Sequence, residues 1–382
     1  QFGWPSKIVI AEGDNELLVD LESEFSLHVL AKQVMKYDVT KLQEFLQVED
    51  QCWVEGEAGT FCNELIIPMH NPLFKAPAPP GIQDVPVIKR TFWPGSEWLY
   101  LKIYAGSRGL EDLLKEAVWP LVQELKREHV MEKWFYIRYN DPGHHLRLRF
   151  YHPSDKQFGQ RIVEKFYNLL NREDFKGLYH KLQLDTYERE LERYGDATME
   201  MSEDIFEADS DCALGLISLL NEEEGERYRW LLTIRGIDML LEDFGFTLTL
   251  KQSFMDRLRE AFFQEFGASK ELAIQLNDKY RKEKLEVQGI LDPGKDNDNG
   301  IEAAISILKE RSGKVRQAFS SQTLALDEKM NLASSYIHMF VNRMLLSNQR
   351  KHELILYHFL AKYYTSKLAI QRKQEKLSLA GG

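Results

Sequence analysis

Apolar residues open the chain in short runs rather than in helical stripes. Lys7-Ile8-Val9-Ile10 and Leu17-Leu18-Val19-Asp20-Leu21 flank Glu12-Gly13-Asp14-Asn15, the apolar-turn-apolar order of a β-hairpin. Further strand pieces are predicted at 52–54, 61–67 and 98–104. Leu110, Leu113, Leu114, Ala117, Val118, Leu121, Val122 and Leu125 then recur at three- and four-residue intervals, the apolar face of a helix that Pro120 is expected to bend. Two strand-like runs, 134–139 and 144–151, are joined by Asn140-Asp141-Pro142-Gly143 and read as a hairpin. Helical periodicity dominates the remainder, at 155–171, 186–194, 211–221, 227–242, 250–284 and 301–318, with a long pair over 328–373.

Residues 75–86 hold four of the chain's 12 prolines. A residue without a backbone donor does not run through a helix or central strand, so a domain boundary is expected there. The predicted organisation is a β-containing unit over 1–74, a linker over 75–90, a main domain over 91–373 and a flexible tail over 374–382. The expected fold class is α+β, a small antiparallel sheet with a predominantly helical remainder. Two polar segments, 221–226 and 292–300, read as solvated. The second invites a calcium loop, yet with Gly300 in sixth place Lys295 falls at the first ligand position and Ser306 where a bidentate glutamate belongs. A mobile loop is the better reading.

Length and composition narrow the class. A chain of 382 residues exceeds what one ordinary core organises. With 43% apolar, 12% aromatic and 29% charged residues, it is neither disordered nor fibrous. Lys+Arg 49 against Asp+Glu 60 leaves a net charge of −11, which argues against a surface built for nucleic-acid backbones or anionic membrane while leaving room for a local basic pocket. No apolar run reaches the roughly 18 residues of a membrane span, and the first residues lack signal-peptide order, so a cytoplasmic protein is expected. The opening at Gln1, inside an apolar and turn pattern, leads us to expect the tail of a longer polypeptide. Cys52, Cys62 and Cys212 have neither disulfide-framework nor zinc spacing; Cys52 and Cys62 could oppose each other across a hairpin, with reduced, buried thiols the preferred reading.

Candidate chemistry concentrates in a few stretches. In His144-His145-Leu146-Arg147-Leu148-Arg149-Phe150-Tyr151, strand alternation sends the two leucines and Phe150 to one face and His145, Arg147, Arg149 and Tyr151 to the other. Spacing alone favours an ordinary half-buried sheet surface; the alternative is a pair of guanidinium forks for a carboxylate or phosphate. Tyr187-Glu188-Arg189-Glu190-Leu191-Glu192-Arg193-Tyr194-Gly195 would bring Glu190 and Arg193 together on a helix, where an exposed pair contributes little. His338 and Asn342 share a helical face inside an apolar stretch, and His338 is either a satisfied core residue or a proton-transfer group. Dinucleotide, P-loop, zincin and serine-hydrolase signatures are absent, and Gly106-Ser107-Arg108-Gly109 reads as an ordinary connection.

Taken together, the runs Phe92-Trp93-Pro94-Gly95-Ser96-Glu97-Trp98-Leu99-Tyr100-Leu101-Lys102-Ile103-Tyr104, Trp134-Phe135-Tyr136-Ile137-Arg138-Tyr139-Asn140-Asp141-Pro142, His145-Leu146-Arg147-Leu148-Arg149-Phe150, the Tyr187 to Gly195 stretch, Phe206-Glu207-Ala208-Asp209-Ser210 and His338-Met339-Phe340-Val341-Asn342-Arg343 resemble the C-terminal, glutamate-eliminating domain of class I lantibiotic dehydratases. The resemblance covers about residues 91–370, and residues 1–74 resemble the last part of that family's glutamylation domain. It implies a lyase that removes glutamate from glutamylated Ser or Thr of a precursor peptide, giving dehydroalanine or dehydrobutyrine. It further implies that Arg149 and Arg193 hold the glutamyl adduct, that Arg147 and Glu190 order the pocket, and that His338 transfers the proton. No cofactor or metal is implied in this chain, glutamyl-tRNA being used by the glutamylation portion. The implied partners are the glutamylated precursor peptide, an upstream portion or separate chain that glutamylates it, a cyclase and transporter complex through which membrane association would come, and a second copy in a homodimer; direct nucleic-acid binding is not expected. A thiopeptide pyridine synthase-like enzyme and a non-catalytic scaffold remain the alternatives.

Overall fold

The computed structural model describes residues 5–12, 15–37, 39–45, 54–57, 59–61, 88–220, 225–292, 301–320 and 322–380. The chain divides into two compact units, Gln1–Gln83 and Asp84–Gly382. The proline-rich stretch, Cys52 and Cys62, the solvated segment over 221–224 and the loop over 293–300 lie outside the described residues.

In the first unit, β1 (Lys7–Glu12) pairs antiparallel with β2 (Asn15–Asp20), helix α1 (Glu24–Lys36) follows, and β3 (Leu42–Glu44) adds to the other edge of β1. Ser23 caps α1 by accepting from the Ser26 amide. β4 (Val54–Gly56) and β5 (Gly59–Phe61) form a separate two-stranded ladder. Among the described residues the buried core here is Ile8, Ile10 and Val19, packed against Leu21, Leu30 and Leu42.

The second unit is built on a four-stranded antiparallel sheet of order β10-β7-β9-β8. A two-residue strand β6 (Thr91–Phe92) precedes β7 (Trp98–Ala105), and helix α2 (Ser107–Asp112) leads through a π-helical turn, Leu113–Val118, into α3 (Trp119–Arg127). The Trp119 amide donates to Leu114, five residues back, immediately ahead of Pro120. The irregularity expected at Pro120 thus takes the form of a widened turn, since proline supplies no amide for the regular pattern. β8 (Lys133–Tyr139) and β9 (His145–Tyr151) form the hairpin expected from alternation, with a cis Asp141–Pro142 bond in its turn. α4 (Phe158–Leu170) and a short 3₁₀ turn lead to β10 (Tyr179–Asp185), then β11 (Tyr187–Glu188), which pairs with β6, and a single turn of helix, α5 (Leu191–Tyr194). The rest is helical: α6 (Met199–Leu219), α7 (Gly225–Asp243), α8 (Leu248–Glu265), α9 (Lys270–Leu291), α10 (Glu302–Phe319), α11 (Leu326–Met344) and α12 (Gln349–Ala380).

The α+β class is as expected, and three element assignments are corrected. The helix expected over 186–194 is instead β11 and α5, because Tyr187 and Arg189 alternate inward while Glu188 and Glu190 face solvent. The helix expected over 250–284 is two helices: Gly267 adopts φ 88° after α8, and Ser269 caps α9 by accepting from the Leu272 amide. α12 continues to Ala380 where a flexible tail was expected from 374, its Gln, Lys, Glu and Leu residues being good helix formers with no glycine before Gly381. Two cores lie on opposite faces of the sheet. Leu99, Leu101, Ile103, Leu146, Leu148 and Phe150 pack against α2, α3 and α4. The opposite face, through Trp98, Tyr100 and Phe135, joins the core of β11 and the helices from α5 onward.

Candidate active site

The site begins with the register of the central strand. Across β9, Arg149 is flanked by Tyr100 and Phe135, and Arg147 by Lys102 and Ile137. Side chains directly opposite on antiparallel strands share a face. The Arg149 guanidinium is therefore enclosed by aromatic rings, with its carbon 4.4 Å from the centre of Tyr100, 4.9 Å from Tyr187 and 5.1 Å from Phe135. Arg149 is 7% exposed. Its Nε is buried with no hydrogen-bond partner, and among the described residues no carboxylate pairs with it. Ring quadrupoles lower the cost of burying this charge without neutralising it, so the cage is electrostatically incomplete.

Arg147 stands two residues away on the same face. Its guanidinium carbon lies 3.4 Å from the centre of Tyr139, and its Nε donates to His145 Nε2 at 3.1 Å. Lys102, opposite Arg147, pairs with Asp185 of β10.

A second group gathers on α5, α11 and α12. Glu190 is the N-cap residue of α5 and stays exposed; its carboxylate is 3.7 Å from Arg193. Arg193 Nε donates to Ser335 Oγ at 3.1 Å. Ser335 lies three residues before His338 on α11, a spacing that puts both on one face of the helix. The His338 Nδ1 lies 3.1 Å from both carboxylate oxygens of Glu353 on α12. Glu353 in turn accepts from Tyr357 at 2.9 Å, and Arg350 approaches it at 3.9 Å. The imidazole is 31% exposed, and among the described residues no hydrogen bond engages its Nε2.

α11 is fixed in position by the edge of the sheet. β8 is an edge strand, and the Asn342 carboxamide pairs with both backbone groups of Arg138: it accepts from the amide and donates to the carbonyl, each at 2.9 Å. Such pairing satisfies edge groups that would otherwise stay open. Arg343 adds a bond from Nε to the Tyr136 carbonyl at 2.9 Å, and its guanidinium is fully buried beside Asp209. Asn342 is therefore a docking residue, whereas its neighbour one turn earlier, His338, points to a carboxylate and to solvent.

No hydrogen bond or ion pair among the described residues joins the Arg147–Arg149 strand to the Glu190, Arg193 and His338 group. An aromatic chain connects them instead. Phe135 beside Arg149 meets Phe206 at 5.2 Å, Phe206 meets Tyr194 at 5.0 Å, and Tyr194 stacks on Tyr336 of α11 at 6.0 Å. Arg189, which the helix expected over 186–194 would place one turn before Arg193, turns inward and forms a buried two-point ion pair with Glu203 at 2.8 and 2.6 Å. Three clefts of this unit are lined by other residues, including Arg229 and His352, Lys89 and Glu200, or Arg108 and Lys115. Glu353 and Ser335 are the site residues that the sequence did not single out. Among the described residues, no group of His, Cys, Asp and Glu is arranged to hold a metal ion, and no helix is long and apolar enough to cross a membrane. Cys212 is buried and free, and burial pushes its thiol up to about 12.

The α+β fold that positions these groups belongs to a known family. Residues 98–364 match the family model for the lantibiotic biosynthesis dehydratase C-terminal domain, and the chain belongs to that family. It is similar to the subtilin biosynthesis protein SpaB of Bacillus subtilis, 24% identical over 373 residues that cover 92% of this chain and 34% of SpaB. Nisin biosynthesis protein NisB of Lactococcus lactis subsp. lactis is 24% identical over 374 residues, covering 95% of this chain and 35% of NisB. The chain thus spans about a third of the length of these relatives. The fold is shared with the crystal structure of the tRNA-dependent lantibiotic dehydratase MibB from Microbispora sp. 107891, with a TM-score of 0.57 and 20% identity over 96% of this chain and 37% of MibB.

Proposed function

We propose that this chain catalyses the β-elimination of glutamate from glutamylated Ser or Thr residues of a ribosomally made precursor peptide, the second half of a dehydration. The observation that carries the reading is Arg149, a nearly buried cation in an aromatic cage that no carboxylate among the described residues pairs with. A substrate that brings a carboxylate completes it.

In the reaction, a base takes the α-proton of the esterified residue, the electron pair forms the Cα–Cβ double bond, and the Cβ–O bond breaks to release glutamate. Ser gives dehydroalanine and Thr dehydrobutyrine. One proton and one carboxylate leave adjacent carbons, so the step balances without oxidant or reductant. The α-proton is a poor acid, and its removal demands positioned cationic stabilisation of enolate character. Arg149 and Arg193 are assigned to the glutamyl group and the developing charge, with Arg147 and Glu190 ordering their surroundings. His338, held at Nδ1 by Glu353, transfers the proton through Nε2. The glutamylated peptide would come from an upstream portion or separate chain that uses glutamyl-tRNA, and dehydrated peptide would pass on to a cyclase and transporter.

The test is incubation of the chain with a synthetic peptide carrying one glutamyl-Ser ester, following loss of glutamate by mass spectrometry beside the Arg149→Ala variant. Elimination by the parent alone supports an autonomous lyase using this cage. Equal elimination by both removes Arg149 from the site, and none by either leaves the lyase reading dependent on an upstream portion and favours the pyridine synthase-like or scaffold alternative.

A further inference from the structure

His145 is buried completely, yet it lies on the same strand face as the two site arginines. Both ring nitrogens are engaged, and together they specify one protonation state. Nδ1 lies 2.7 Å from the Gly143 carbonyl, an atom that only accepts, so Nδ1 carries the proton. Nε2 receives the Nε–H of Arg147 at 3.1 Å, so Nε2 carries none. The ring is fixed between two tyrosines: it stacks on Tyr104 at 4.5 Å and meets Tyr139 edge-on at 5.5 Å. Tyr139 is also the ring against which the Arg147 guanidinium packs. Arg147 is thereby gripped at its Nε and on its face, while among the described residues no carboxylate pairs with it.

We propose that His145, as the neutral Nδ1–H tautomer, is the positioning residue that holds Arg147 beside Arg149 and so keeps two guanidinium groups available to one anionic substrate. The proposal rests on the lyase reading for its consequence, and on the hydrogen bonds alone for its geometry. Protonation turns Nε2 from acceptor to donor, breaks the bond to Arg147 and sets two cations against each other.

The surroundings favour the neutral ring. Burial holds the imidazole below its ordinary value, and the neighbouring cations Arg147 on its own strand and Lys102 on β7 act in the same direction. The Gly143 carbonyl and Asp141 of the hairpin turn oppose them. Beyond Tyr104, His180 and Lys181 of β10 add no carboxylate; Asp185 of that strand is taken by Lys102. Burial and these cations thus favour the neutral acceptor.

Two measurements on the full chain separate this proposal from the lyase reading. Nitrogen-15 NMR of the parent, without substrate, reads the His145 tautomer and the Arg147 Nε–H resonance from neutral pH into the acid range. The expected result is an Nδ1–H ring at neutral pH and an Arg147 resonance that moves with the His145 titration, its midpoint below the ordinary histidine value. An Nε2–H ring, or an Arg147 signal indifferent to that titration, overturns the proposal whatever the enzyme does. The second measurement is glutamate release by two variants. His145→Phe keeps the stacking and loses the acceptor, and is expected to lower kcat/KM about tenfold or more, with no further loss when Arg147→Ala is added. His145→Gln supplies a carbonyl that does not titrate, and is expected to restore most of the activity and to extend it further into acid than the parent. Additive losses in the double variant, or no rescue by Gln in a folded chain, also overturn it.

Discussion

His338 meets Glu353 through one ring nitrogen: Nδ1 lies 3.1 Å from each carboxylate oxygen, and the carboxylate side chain is 1% exposed. A buried carboxylate that accepts from Nδ1 fixes the tautomer and the ring plane, leaving Nε2 for proton transfer. Tyr357 holds the same carboxylate from the next turn of α12, so the three groups form one unit. Glu353→Gln keeps the size and a hydrogen-bonding oxygen but removes the charge. Its expected effect is a drop of about 100-fold in the rate of glutamate release, with substrate binding changed far less. Single-turnover kinetics with a glutamyl-Ser peptide check it, and an unaltered rate detaches Glu353 from the chemistry.

Arg149 leads to a prediction in which stability and activity part company. A nearly buried guanidinium with no counter-ion among the described residues contributes little to folding in the absence of ligand, because desolvation opposes its contacts with Tyr100, Phe135 and Tyr187. Methionine fills a similar volume and tolerates an aromatic cage. Arg149→Met is therefore expected to melt no lower than the parent while losing at least about 100-fold in elimination rate. Thermal unfolding beside the glutamate-release assay reads both; a large loss of melting temperature would mean that the arginine is structural.

Much of this framework was legible in the sequence, and the reasons separate by element. The β8–β9 hairpin and its arginine face followed from strict alternation around a strong turn, a local signal that packing reinforced. The stretch from Tyr187 to Tyr194 misled because its charges also suit a helix; the two-residue strand there depends on Glu203, which receives Arg189 and Tyr187 only once α6 is in place. The break between α8 and α9 did carry a local signal, Gly267 followed by the capping Ser269, which a continuous apolar stripe obscured. Glu353 had none. It lies 15 residues from His338, on a different helix, and no periodicity relates residues across the connection at 345–348.

Glu111 gives the chain a defined response to acid. Burial pushes its carboxyl up, but Arg138 and Arg229 on either side outweigh it and hold the group below the usual carboxylate value. A depressed folded value means that the unfolded chain binds the proton more tightly. The stabilisation is complete above the ordinary glutamate range and is lost as pH falls through the folded value. Glu111→Gln should unfold with about 2–4 kcal/mol less stability near neutral pH, and should show a shallower decline in acid than the parent. Denaturant titrations at several pH values measure both; parallel curves for parent and variant would contradict the assignment.

Gly236 tests whether the placement of α11 matters to the chemistry. It lies within α7 where Phe340 of α11 crosses: a Cβ built there would sit 2.5 and 2.8 Å from ring atoms of Phe340 and 3.3 Å from Leu308. Its carbonyl also accepts from the buried Arg311 at 2.8 Å, so the backbone cannot simply withdraw. In a free helix, alanine in place of glycine would gain up to about 1 kcal/mol; overpacking of about 1–3 kcal/mol opposes that gain here. Gly236→Ala should therefore be modestly less stable than the parent. Phe340 lies two residues beyond His338, so relief of the clash moves the segment that carries the imidazole toward or away from Glu353. The expected signature is a fall of about tenfold or more in elimination rate at a temperature where the variant remains folded. Phe340→Leu in the same chain removes the ring and should recover part of the lost stability. Recovery of stability without recovery of rate would place the effect in the packing of α7 rather than in the position of His338.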